Sequence, residues 1–415
     1  MATLVLAAAG ALGGALLQPG AAQQTRVSVG PRLAKISGVT SMESAPVPRV
    51  YGRARIGGQM IWATRFFEQV NVQFVPGVGG KAAAPARPAT IDVSYTYFAN
   101  VAVGLCEGPI AFVRRVWADG QELDLTTVTM RVYRGDETQT ADPLIAAKEA
   151  AGTVPAYRGL AYVVFERLPL TAFGNRVPQL SFEVVKPVEG IGAMIRAVDI
   201  IPGATEFGYQ PTLHTSASGA ATSVQENRAQ SWAATDWQAS LDALQALCPN
   251  LRSVALVVAW FGDDLRAGAC TIAPRVDNAF KTLSFPFYPA FVADWSVAGL
   301  SRTGARLVSQ SGGASAYGGS PSDASVIAAL ADLKARGLST TFYPFVMMDI
   351  AADNALPDPW TGLAQQPAYP WRGRIVCDPA PGRPATADAT AAAAAQIAAF
   401  FGSPTPAADE WAYRR

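Results

Sequence analysis

Four aspartates close apolar runs in the second half of this sequence. Asp263 and Asp264 end LRSVALVVAWFGDD, Asp349 ends LSTTFYPFVMMD, and Asp378 ends RIVCD. Carboxylates collected at the C-terminal ends of parallel strands are the usual material of a β/α active site. Hydrolysis of a glycosidic bond needs two of them opposed across that bond, one protonated and one ionised. Arg266, Arg372 and Arg374 are candidate partners for anions or sugar hydroxyls, and Trp260, Trp371 and Tyr343 are candidate flat faces for a sugar ring. The spacing pairs no two of the acids. GDDLR is also the sequence of a strand-exit turn in which Asp263 or Asp264 caps backbone amides and Arg266 forms a salt bridge. No residue is assigned a catalytic, cofactor-binding or metal-binding role, and no cofactor is implied.

The elements that would position these acids are written as helix–strand pairs. QENRAQSWAATDWQASLDALQALC sets Trp237, Leu241, Leu244 and Cys248 on one side at three- and four-residue spacings, with Thr235 as cap, and the strand from Val254 to Trp260 follows. In SPSDASVIAALADLKARGL, Ser322 or Asp323 caps a second helix, Gly337 ends it, and a strand runs from Thr340 to Met348. Residues 387 to 402 spell a last helix. Helix then strand, twice, with continuously apolar strands, predicts parallel β/α structure buried on both faces. Three acid-tipped units fit before the last residue, and an open set of three does not close a barrel. A working protein longer than this chain is therefore expected.

The first half reads differently. RVSVGPRLAKI and QMIWATRFFEQVNVQFV alternate with period two, as half-buried strands do, and Arg53 and Arg55 fall on one face of a strand. ATIDVSYTYFANVAVGLCEGPI alternates and then turns continuously apolar, as a strand entering a core. Asp119-Gly120 marks a hairpin, and two more strands lie in 158–188 around a Gly174-Asn175 hinge. Residues 77 to 89 form a Gly/Ala/Pro loop, and residues 187 to 201 are expected to hold one short helix. Asp136 and Glu137 sit in a turn without the spaced acidic partners of a calcium loop.

Composition narrows the classes. A chain of 415 residues, half of them apolar, can bury two to four domain cores. Charged residues are 16% and the formal net charge is +1, so nothing in the global charge argues for a nucleic-acid groove. The single histidine, His214, removes His-rich metal sites and lies in HTSASGAATS, expected to be a solvated loop. Cys106, Cys248, Cys270 and Cys377 lack CxxC spacing; Cys106 and Cys248 read as core residues, and a disulfide to Cys270 stays open. Residues 1 to 25 begin with an uncharged Gly/Ala-rich run that lacks a basic start and is too short to span a bilayer. It reads as a small-residue segment packed in an assembly, a signal or membrane-active piece, or a disordered start.

Several long stretches resemble a known family. WFGDDLRAG from Trp260, YGGSPSDASVIAAL from Tyr317, FYPFVMMDI from Phe342 and YPWRGRIVCD from Tyr369 resemble, in order, the barrel-like domain of the large tail protein of gene transfer agents. VPRVYGRARIGGQMIWAT from Val47, YFANVAVGLCEGPI from Tyr97, VWADGQELD from Val116 and YRGLAYVVFERLPLTAFGNRVPQLSFEV from Tyr157 resemble the β-rich hub part of the same protein. The likeness runs from about residue 45 through nearly all the chain.

That resemblance implies an α+β multidomain protein: a β-rich baseplate hub region over 26–215, then a partial glycoside-hydrolase-like TIM-barrel region over 225–415. It implies a homotrimeric hub at a tail tip, forming a ring around a DNA exit channel and supporting host attachment, envelope penetration and DNA delivery. The implied partners are the distal tail protein and other baseplate proteins, the tape measure protein or its C-terminal peptide, and translocating DNA read without sequence specificity. A host envelope or surface polysaccharide is a further partner, and the implied location is the baseplate of a particle assembled in the bacterial cytoplasm. Family members are much longer than this chain, which sets hydrolysis through strand-end carboxylates as the alternative rather than the leading expectation.

Overall fold

The computed structural model describes residues 26–30, 46–76, 89–149, 154–188, 190–201, 206–218, 222–279, 281–283, 295–370 and 374–402. The N-terminal apolar segment and most of the 77–89 loop lie outside the described residues, as do Trp371 and Arg372. The architecture is α+β and multidomain, with several β-sheets and no closed barrel among the described residues.

The first part is a pair of sheets organised by one long strand. β1 (Arg26–Val29), β2 (Gly52–Gly57), β3 (Gln59–Ala63) and β4 (Phe67–Val75) precede β5, which runs unbroken from Thr90 to Glu107. β1 and β4 flank its first half, and β3 flanks its second half opposite β9 (Leu160–Pro169). β6 (Phe112–Ala118), β7 (Gln121–Glu122) and β8 (Thr129–Tyr133) come between; β8 pairs with β9. β10 (Leu180–Lys186) lies between β2 and β6 in a second, antiparallel sheet that ends in β7.

The two sheets enclose a core that includes Val101, Val103, Leu105, Val163, Phe165, Phe182 and Val184. The change in the β5 sequence from alternating to continuous apolarity has its cause here. Ala102, on the opposite face, is covered by Tyr162, Val164 and Ile145, the last from the short helix α1 (Pro143–Lys148). Strands buried on both faces read as apolar runs. Asp142 caps α1, accepting from the Leu144 and Ile145 amides, and its buried carboxylate also binds Arg131 and the Tyr133 hydroxyl. The Asp119-Gly120 hairpin forms as expected, both residues at positive φ (50° and 84°), joining β6 to β7.

The second part is a parallel sheet in sequential order. β11 (Ala197–Ile200) pairs with β14 (Ser253–Gly262), and β14 pairs along ten residues with β16 (Ser339–Met348), all in parallel. Between β11 and β14, β12 (Thr215–Ser218) and β13 (Thr222–Gln225) form a hairpin, and β15 (Ile272–Ala273) adds antiparallel to the end of β14. Helix α2 (Asp236–Leu247) is capped by Thr235 and buries Trp237 and Leu241; α3 (Asp323–Ala335) is capped by Ser322 and buries Val326, Ala329 and Leu333. Both pack on Val254, Leu256 and Val258 of β14. Gly337 follows α3 at φ 76°, a left-handed stop natural to glycine. The last helix, α4, is Ala391–Phe401, starting four residues later than expected.

Three expectations change. The short helix after Pro187 is a single 3-10 turn, Ile191–Met194, followed by β11, because the backbone of 197–200 is taken up by β14. RIVCD is not a strand: only Val376 makes a bridge, to Arg266. HTSASGAATS is not loop alone, since Thr215–Ser218 pairs in the β12–β13 hairpin, and His214 is half-buried with its ring stacked on Phe207 at 5.0 Å. All four cysteines are free thiols, with Cys106, Cys248 and Cys270 buried.

Candidate functional site

The C-terminal ends of the parallel strands carry Asp263, Asp264 and Asp349, three of the four aspartates singled out from sequence, and each of these is held by an arginine. Asp264 is buried; it accepts from the Arg266 amide at 2.8 Å, from Arg266 Nη2 at 2.6 Å and from Gln366 Nε2 at 2.7 Å. Burial alone would raise its carboxyl, but Arg266 and Gln366 outweigh burial and hold it below its ordinary value. Asp263 accepts from the Thr271 amide at 2.7 Å and from Arg306 Nη1 at 2.9 Å. The strand-exit-turn reading of GDDLR therefore describes both residues. Asp349, past β16, accepts from Arg275 Nη1 at 2.6 Å and the Ser309 amide at 2.9 Å, with both ion-pair partners buried. Burial, working against the attraction of Asp349, pushes the Arg275 guanidinium below its ordinary value.

A further acid was not singled out from sequence. Glu206, beyond β11, is fully buried; it is bound by Arg302 and accepts from the Asp277 amide at 2.8 Å. Burial pushes its carboxyl up to about 7, aided by repulsion from Asp277 and opposed by Arg302. Lys281 lies 2.9 Å from Asp277 and 3.0 Å from Glu226, and these acids hold it above its ordinary value although burial alone would lower it. Gly319 passes so close that a Cβ there would stand 2.4 Å from Glu206 Oε1. Arg266, Arg275, Arg302 and Arg306 all come from the stretch between β14 and α3. This stretch is clamped onto the strand ends through ion pairs, and Trp295 anchors it by donating to the Ser320 carbonyl at 2.8 Å.

The remaining candidates do not converge. Trp260 is registered with Val346, and Tyr343 with Val257, so by strand alternation the two rings stand on opposite faces of the sheet. Trp260 lines a mostly apolar cleft of about 260 Å³ with Val258, Val326, Ile327, Phe342 and Pro344, and Asp323 is the one acid in its lining. Arg374 lies over Trp360, 5.7 Å from its ring centroid, and not beside a strand-end acid. The Asp378 backbone is tied to α4 by Gln396, through bonds of 2.7 and 2.8 Å. A glycosidase acid must have a raised pKa and be reached by substrate. Glu206 has the raised pKa, but no solvent reaches it. Among the described residues no group of three or more His, Cys, Asp and Glu side chains is arranged to hold a metal ion.

Among known proteins the chain has few counterparts in sequence. No family model matches it, and no curated protein does. Similarity to a solved structure is partial. A chain from the virion of the native gene transfer agent particle is 38% identical, with a TM-score of 0.30, over 49% of this chain and 44% of that one. The present chain thus spans less than half the length of that virion protein. No described helix is long and apolar enough to cross a membrane.

Proposed function

We propose that this chain is a structural subunit of the hub at the tail tip of a phage-like gene transfer particle. The observation that carries the reading is a sandwich core that continues past its own cover. The face of β5 that builds the core through Tyr97, Ala99, Val101, Val103 and Leu105 also bears Tyr95, Val93 and Ile91. These are registered with Val70, Val72 and Phe74 of β4, and Val93 and Ile91 also with Val29 and Val27 of β1. The exposed part of this face is its β4 edge, where Val72 is 55% exposed and Phe74 46%, while Val93 on the middle strand is 3% exposed. The opposite face of the same three strands is polar, with Ser28, Gln69, Asn71, Gln73, Asp92, Ser94 and Thr96. An apolar sheet face of this kind, open on one side, marks a contact surface.

In this reading region 26–215 supplies a ring of three copies around a DNA exit channel, since closed symmetry lets one patch serve every subunit. The distal tail protein, other baseplate proteins and the tape measure protein or its C-terminal peptide are its neighbours. The ring supports attachment to the host envelope or a surface polysaccharide and then DNA delivery. Region 225–415 with β11 is an accessory, TIM-barrel-like β/α unit, supported by three parallel strands in sequential order with a helix before each of the last two. Its ion-paired acids support a structural part rather than glycoside hydrolysis. Imaging of particles tests the reading: three copies around the tail axis are expected, and a monomer that never enters particles would sink it.

A further inference from the structure

The outer face of the second sheet gathers four arginines. Arg53 and Arg55 alternate outward on β2. On β6 the register with β10 shifts between Phe182, opposite Val116, and Val184, opposite Val113. This bulge lets Arg114 and Arg115 both avoid the core while Val113 and Val116 stay buried. Two tryptophans sit among them. Arg55 lies 4.0 Å over the Trp117 ring, and Arg114 and Arg115 lie 4.6 and 5.4 Å over Trp232.

Acids are fewer than cations on this face. Glu183 is shared by Arg53 at 3.2 Å, Arg115 at 3.9 Å and Arg114 at 4.0 Å, and Glu122 stands 3.8 Å from Arg115. Four arginines against two glutamates leave the face at about +2, more than the +1 of the whole chain. A guanidinium stacked on an indole keeps its charge and its N–H edge, and its outer plane can take a further flat ring. Arg53 and Arg55 are two residues apart, roughly 7 Å along the strand. The face is thus a spread of positive charges over flat surfaces rather than a pocket for one small anion.

We propose that this face binds the phosphate backbone of nucleic acid without sequence preference, the chemistry of charge plus stacking that single strands favour. The proposal deepens the hub reading by giving the passing DNA a surface on this chain. The test uses the full chain and a fluorescein-labelled mixed-sequence 30-mer DNA single strand, followed by anisotropy across a salt series, with light-scattering mass recorded on the same samples. Binding should weaken steeply with salt. Arg55→Ala with Arg114→Ala should lower the log–log slope by about 1.4, given roughly 0.7 per phosphate contact on a single strand. Arg55→Lys with Arg114→Lys, which keeps the charges, should retain the slope and guards against a folding defect. Lys148→Ala with Lys334→Ala, on α1 and α3, should leave it unchanged. The proposal is overturned by no binding in low salt, by an unchanged slope in the alanine pair, or by an equal loss in the lysine control. Binding to phosphatidylglycerol vesicles but not to DNA would overturn it in favour of a lipid surface. Loss of DNA binding with the mass unchanged would strike this proposal alone, whereas a monomeric mass together with absence of the chain from particles would strike the hub reading.

Discussion

Replacing Arg275 by methionine tests whether the strand-end acids are clamps. Arg275 and Asp349 are 5% and 3% exposed and meet at 2.6 Å. Removing one partner of a buried pair costs about 3–5 kcal/mol, because the other charge stays buried without compensation. Asp349 keeps the Ser309 amide, so the low end, about 3 kcal/mol, is expected. For a cooperative unit of this size each kcal/mol moves Tm by about 2–4 °C, giving a fall of roughly 6–12 °C. Thermal unfolding followed by tryptophan fluorescence reads it, since Trp295 donates to Ser320, whose hydroxyl accepts from the Arg275 amide. Arg275→Met with Asp349→Leu should recover to within about 1 kcal/mol of the parent, since apolar replacement of a buried pair is often neutral. Arg306→Ala breaks the exposed pair with Asp263 and should cost at most about 1 kcal/mol. A cost for Arg275→Met no larger than that for Arg306→Ala would refute the clamp.

Glu206 predicts a pH effect of definite sign. Its folded value of about 7 lies above the ordinary 4.5, so the folded state holds more protons between those limits and stability falls as pH rises through that window. Melting curves from pH 4.5 to 7.5 should show that fall, and Glu206→Gln should flatten it; a parent protein that gains stability over the same range would contradict the assignment. On the β1–β4–β5 face, Val72→Asp with Phe74→Asp should abolish self-association by light scattering while changing monomer stability by less than about 1 kcal/mol, because both positions are exposed. Unchanged association would remove this face from the interface.

Features carried by local chemistry were legible in the sequence. The Thr235 and Ser322 caps, the Asp119-Gly120 turn and the change of period inside β5 each act within a few residues, and each forms as read. What escaped was decided by distant partners. β11 is four residues long and is a strand because β14 lies beside it; RIVCD has the right composition but meets only Arg266. The β12–β13 hairpin is built of small polar residues with no apolar alternation to announce it. The aspartates were found, but their partners Arg275 and Arg306 lie in an irregular stretch where nothing local links an arginine to a given aspartate, and Glu206 with its partner Arg302 escaped altogether. Arg53 and Arg55 were correctly placed on one face, whereas joining Arg114 and Arg115 to them required a bulge that RR does not advertise.

The length of β5 has a mechanical consequence. Its 18 residues extend roughly 60 Å, one end within the sandwich and the other in the open apolar face. A pull on that open face along the strand is therefore delivered into the β3 and β9 ladders lengthwise, loading many hydrogen bonds together instead of one after another. The surface offered to neighbours and the body that resists being drawn apart share one continuous backbone, so a tug on a subunit's contacts is carried as tension into its most deeply buried segment.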